Sequence, residues 1–93
     1  MPDNAMPTDP RALFGLRLAE LRRARGFSQE RLALESGIAR SYLGGVERGQ
    51  RNIALLNICR LADALGVPPA SLLEPPPPKT SRPESLQLTS LND

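Results

Sequence analysis

Residues 11–67 contain no proline, whereas all ten prolines of the chain fall at positions 2–10 or 68–83. The seven glycines occupy the complementary zone, from Gly15 to Gly66. This partition outlines one folded segment, residues 10–74, between a polar N-terminal arm (1–9) and a proline-rich linker and C-terminal tail (75–93). A core of that size buries only ~60% of the surface that its unfolded chain exposes, so its stability is marginal. Cys59 is the only cysteine, which excludes a disulfide within the chain, and it reads as a small core residue. Histidine is absent. Without it the usual zinc sites and the Ser-His and Cys-His nucleophile pairs cannot be built. No metal, cofactor or enzymatic activity is therefore expected. The first ten residues lack the charged and apolar regions of a signal peptide, and no apolar run approaches the ~20 residues that span a bilayer. A cytoplasmic protein with no membrane partner is the expectation.

Charge adds direction. The whole chain carries 12 basic and 10 acidic residues, a net of +2. Within residues 10–74, ten arginines face six acids, an excess of four positive charges. Eleven of the twelve basic residues are arginine, the side chain suited to bidentate phosphate and guanine contacts. A solvated arginine-rich surface is the plainer reading of the same composition.

The pattern turns helical at Pro10. Asp9 is suited to cap a first helix with Pro10 at its first position, where a missing amide hydrogen costs nothing. Phe14, Leu18 and Leu21 then share one face, and Gly26 ends the segment. Ser28 caps a second helix with Leu32, Ala33 and Ser36 inward and Gly37 as its stop. Arg31 stands where a complete capping box would have Glu or Gln. A third helix is predicted from Ala39 to Arg48 with Leu43 and Val46 inward. A fourth covers Ala54–Leu65, with Leu55, Ile58, Leu61, Ala62 and Leu65 at helical spacing, and a short fifth covers Ala70–Leu73. Short connections and no strand signal predict an all-α fold, a compact five-helix domain. The four prolines from Pro75 form a stiff spacer. For the Leu86-Gln87-Leu88 stretch with Leu91, pairing as a strand, disorder, and docking on a second subunit all stand.

The informative stretch is QERLALESGIARSYLGGVER, Gln29–Arg48. Two helices joined by a tight turn need a small residue at their crossing, here Ala33. They need a residue that accepts positive φ four positions later, here Gly37. They also need apolar anchors beneath the second helix, and Ile38, Leu43 and Val46 have that spacing. The conjunction points to a helix-turn-helix, against the alternative of a plain helical hairpin.

With these residues in view, Gly15–Leu73 resembles the Cro/repressor-type (XRE) helix-turn-helix family, which includes phage repressors and restriction–modification controller proteins. The run ERGQRNIALLNI, Glu47–Ile58, is especially like the controllers. The resemblance implies a five-helix domain that binds a double-stranded DNA operator as a homodimer and regulates transcription, acting as a repressor or autoregulator. It covers neither tail.

Placed on such a domain, the third helix lies in the major groove with its N-terminal residues at the base edges. Arg40 is the candidate for direct readout, with a phosphate contact as the alternative. Ser41 is short enough for base or phosphate. Gln29 matches the glutamine with which family members hold a phosphate. Tyr42 either donates its hydroxyl to a phosphate or packs half-buried. Arg48, Arg51 and Asn52 stand where backbone contacts are expected. Gly44 and Gly45 depart from the family, whose members usually carry polar side chains there. Close backbone approach to DNA, readout by fewer residues, and weak or shape-dependent binding all remain open. Arg22 and Glu47 match a family ion pair that orients the reading helix; two independent surface charges are the other option.

One short reading helix covers few bases, so two half-sites and a dimer are expected. Leu56, Val67, Leu72 and Leu73 are the candidate interface, although Leu72 or Leu73 also suits the core of its own subunit. A second functional reading is an antitoxin-type protein whose C-terminal tail binds a partner protein while the domain binds its own operator.

Overall fold

The computed structural model describes residues 8–75. The arm (1–7) and most of the tail (76–93), including the leucines at 86, 88 and 91, lie outside the described residues. Five helices follow in order: α1 (Pro10–Ala24), α2 (Gln29–Ser36), α3 (Arg40–Glu47), α4 (Leu55–Leu65) and α5 (Pro69–Leu72). No strand occurs among the described residues.

Local chemistry sets most of these limits. The Asp9 carboxylate accepts from the Arg11 amide at 2.9 Å, and Pro10 opens α1. The Ser28 hydroxyl accepts from the Arg31 amide at 3.0 Å and starts α2. Gly37, at φ 76°, ends α2, and Gly66, at φ 72°, ends α4, both left-handed. Substituting either would force a side chain into a conformation that L-residues rarely adopt. Five boundaries differ from expectation by one residue: both ends of α3, the start of α4, where Ala54 is the cap, and both ends of α5. Ala39 is extended and caps α3 instead of opening it. The fifth helix starts at Pro69, because proline's fixed φ suits the first helical turn.

Packing is pairwise and local in space: α1 lies against α3 and α5, α2 against α3 and α4, and α4 against α5. Leu18, Leu32, Leu43, Val46, Leu61 and Leu72 are sealed at the centre. Each such burial is worth ~1.5–3 kcal/mol relative to exposure. Around them stand Phe14, Ala33, Ile38, Ala62 and Leu65. The α1–α3 crossing depends on Gly15. A Cβ there would fall 2.5 Å from the backbone oxygens of both Val46 and Glu47. Only a residue without a side chain lets α1 pass this close to the C-terminal end of α3.

Four side chains depart from their expected places. Leu72 is fully buried, so it closes its own subunit's core and drops out of the candidate interface. Val67 is half-buried and also packs against its own core. Leu55 is 73% exposed, although its spacing is inward. Exposure falls along α4 from Leu55 through half-buried Ile58 to sealed Leu61, so the first turn projects past the core. Cys59 is exposed, because it lies on the outer strip of α4 with Leu55 and Leu56.

Candidate nucleic-acid interface

α3 is held from beneath and open above. Leu43 and Val46 anchor it in the core, while Arg40 and Ser41 on its first turn are exposed. Arg48, at the C-terminal cap, and Arg51 and Asn52, in the following loop, are exposed as well. Backbone from elsewhere in the described chain does not seal this surface. Tyr42 is half-buried and packs against the core. The Arg51 guanidinium stands 5.7 Å from its ring centroid, within the range of a cation–π contact.

Gly44 and Gly45 are buried, and arginine side chains cover them. A Cβ on Gly44 would meet Nη1 of Arg40 and Nη1 of Arg48, each at 3.2 Å. On Gly45 it would meet Cγ of Arg51 at 2.9 Å. Arginine stems and heads thus occupy the space that side chains at these two positions would take. The sequence pattern offered no sign of this use, because it depends on where three arginines fold back.

The far end of α3 is fixed by a polar cluster. Arg22 donates from Nε to Oε2 of Glu47 at 2.6 Å and from Nη2 to Oε1 at 3.0 Å, a bidentate pair. The side chains are only 11% and 7% exposed, so these are not two independent surface charges. Nη1 of Arg22 donates to the carbonyl oxygen of Phe27 at 2.9 Å, which ties the α1–α2 connection into the cluster. Gln29 donates from Nε2 to Oε1 of Glu47 at 2.8 Å. Gln29 was expected free for a phosphate; the structure makes it a third member of this cluster, with one amide hydrogen left over. The cluster thus joins α1, α2 and α3 at one point.

Of the six arginines without an ion pair among the described residues, three lie on α3 and just after it, and Arg23, Arg25 and Arg60 lie elsewhere. Among the described residues, ion pairs engage Arg11, Arg17, Arg22 and Arg31. None engages Arg40, Arg48 or Arg51, so three exposed guanidinium groups line one surface without a carboxylate beside them. No helix among the described residues is long and apolar enough to cross a membrane.

A two-helix unit with a glycine turn, a buried support and an outward, cationic second helix defines a helix-turn-helix domain. The helix-turn-helix family profile matches residues 18–72. The chain belongs to the XRE-type helix-turn-helix family of transcription regulators, which are DNA-binding proteins and not enzymes. It is 41% identical over 70 residues to the control protein C.BamHI of Bacillus amyloliquefaciens, covering 74% of this chain and 86% of that one. The crystal structure of the restriction–modification controller protein C.AhdI from Aeromonas hydrophila superposes with a TM-score of 0.66 at 60% identity, covering 67% of this chain and 94% of that one. The regulator of biofilm formation SinR, solved in complex with DNA, matches with a TM-score of 0.63 at 31% identity, covering 66% and 98%.

Proposed function

We propose that this protein is a sequence-specific double-stranded DNA-binding transcription regulator, a repressor or autoregulator. It acts as a homodimer on an operator with two half-sites. The observation that carries this reading is the unpaired cationic surface of α3, anchored below by Leu43 and Val46 and fixed at its end by Glu47. Arg40 and Ser41, on the first turn, are placed for base edges, while Arg51, Asn52 and the remaining amide hydrogen of Gln29 are placed for phosphates. Tyr42 adds a hydroxyl beside Arg51. The likeness to SinR, solved with DNA, and to the controllers supports the same assignment. Two copies are needed because a single eight-residue reading helix spans few base pairs.

Selection of bound sites from random duplex DNA tests this directly. The expected result is a sequence with two related half-sites, centred about one helical turn apart. Affinity for it should fall steeply with salt, because each phosphate contact adds ~0.9 to the logarithmic slope. Recovery of no common sequence, together with an affinity indifferent to salt, would refute the proposal. Deleting residues 75–93 should leave operator binding intact. Loss of a copurifying protein on that deletion would instead favour the antitoxin reading of the tail.

A further inference from the structure

Gly44 stands midway along α3, four residues after Arg40 and four before Arg48, so the three share one face of the helix. Nη1 of Arg40 and Nη1 of Arg48 each lie 3.2 Å from the point that a Gly44 Cβ would occupy. The two guanidinium heads therefore converge over one glycine, no farther apart than those two distances laid end to end. Like charges this close repel, and among the described residues neither has a carboxylate partner. Arg48 makes one hydrogen bond, from Nε to Oε1 of Gln50 at 3.2 Å. Its Nη donors stay over the glycine. The side-chain acceptor found there is Oε1 of Gln29, 3.8 Å from the Cβ position. Two forked donors held together in this way favour a ligand rich in acceptors. In the major groove that is guanine, which presents O6 and N7 side by side. A phosphate contact would need an arginine reaching sideways to a strand, whereas both heads here lie over the middle of α3.

We propose that Gly44 is a specificity-determining residue: it seats Arg40 and Arg48 together as a two-armed reader of neighbouring guanines. This rests on α3 lying in the major groove, as proposed above. Glycine is required at the seat because any side chain would stand where the two heads meet. It also explains a residue of poor helix propensity in the middle of the reading helix.

The atoms that a Cβ would meet are the ends of flexible side chains, so Gly44→Ala is compatible with the fold. The variant should melt at the same temperature as the wild type or higher, since alanine favours helix over glycine. Site selection with that variant should nevertheless lose preference for guanine at one base pair or more in each half-site. Arg48→Ala should lose ~5- to 150-fold in affinity for the guanine-bearing operator and relax preference at a position next to the one that Arg40→Ala relaxes. Arg48→Lys should keep affinity for unrelated DNA yet lose the same preference, because lysine keeps the charge without the fork. Two results overturn the proposal while leaving the regulator reading intact. One is an unchanged selected sequence for Gly44→Ala. The other is a uniform loss for Arg48→Ala on all sequences, with Arg48→Lys restoring full binding, which would make Arg48 a phosphate contact. A selected sequence unaltered by Arg40→Ala also overturns the two-armed reader, because Arg40 then reads no base; the regulator reading falls only if the wild-type protein selects no common sequence and binds with an affinity indifferent to salt.

Discussion

Glu47, the last residue of α3, receives both arms of Arg22 from α1, and the pair is almost wholly shielded from water. Removing one partner leaves the other charged, desolvated and unmatched, which typically costs ~3–5 kcal/mol. That is a large share of the ~5–15 kcal/mol by which a domain is stable. Glu47→Ala should therefore lower the urea midpoint sharply, and Arg22→Ala should do the same. Arg22→Met combined with Glu47→Leu should recover part of the loss, because two apolar groups leave no buried charge, although the Gln29 amide and the Phe27 carbonyl each lose a partner. Operator affinity should not recover with it, since α3 would no longer be tied to α1 at its far end. Equal recovery of stability and of DNA binding would show that the pair does not orient the helix.

Gly15 and Gly44 make opposite predictions from the same substitution. In an open helix Gly→Ala stabilises by ~0.5–1 kcal/mol. At Gly15 the added Cβ would strike backbone oxygens of Val46 and Glu47, which cannot swing aside as a side chain can. Overpacking of this kind costs ~1–3 kcal/mol and outweighs the propensity gain. Thermal melts of Gly15→Ala should show a lower midpoint than wild type, with DNA affinity reduced as α3 is pushed outward. A higher midpoint would mean that α1 and α3 separate without penalty.

Asp9 supplies a pH dependence of known sign. The side chain of Arg11, and after it the Arg11 amide, hold the Asp9 carboxyl below its ordinary value by hydrogen bonding to its charged form. A group whose pKa is lowered on folding stabilises the native state above the unfolded value, ~3.9. That contribution is lost as the pH falls through the lower folded value. Asp9→Asn keeps an acceptor for the cap but removes the charge. The stability gap between wild type and this variant should be constant near neutrality and close as the pH drops below ~4. A gap that persists undiminished into strong acid would place the effect in the cap geometry alone.

How far the fold was legible depended on how local each cause is. Ser28, Gly37 and Gly66 act within their own turns, so the limits they set could be read from neighbours in sequence. The Arg22–Glu47 pair was legible only through the family resemblance, since its partners are far apart along the chain. What Gly15 is for could not be read locally, because its requirement comes from the backbone of Val46 and Glu47 in another helix. A glycine inside a well-formed amphipathic helix, beside Phe14 and on the way to Leu18, is the hint that was there to be used. Periodicity also assigns a side of a helix and not a depth, which is why Leu55, at inward spacing, is exposed. At the reading helix, the positions of Arg40, Arg48 and Arg51 could be predicted. That they lie back across the glycines could not, since long side chains choose their course from the whole surface around them.

Leu55, Leu56 and Leu73 are 73%, 61% and 65% exposed, more than a solitary domain gains from leaving three leucines in water. Leu73 borders a groove of ~190 Å³ in which Pro10, Phe14, Ile53 and Ile58 stand beside Arg11, Arg51 and Asn52. Covering these leucines in a homodimer would make stability depend on protein concentration, because association shifts the unfolding equilibrium by mass action. Leu56→Lys should leave the helical content of the domain unchanged and abolish that concentration dependence, with sedimentation reporting a monomer. Binding to a complete operator should then fall toward that for a single half-site, while Arg40 keeps its preferred base. If Leu56→Lys sediments as the wild type does, the subunits meet through some other surface.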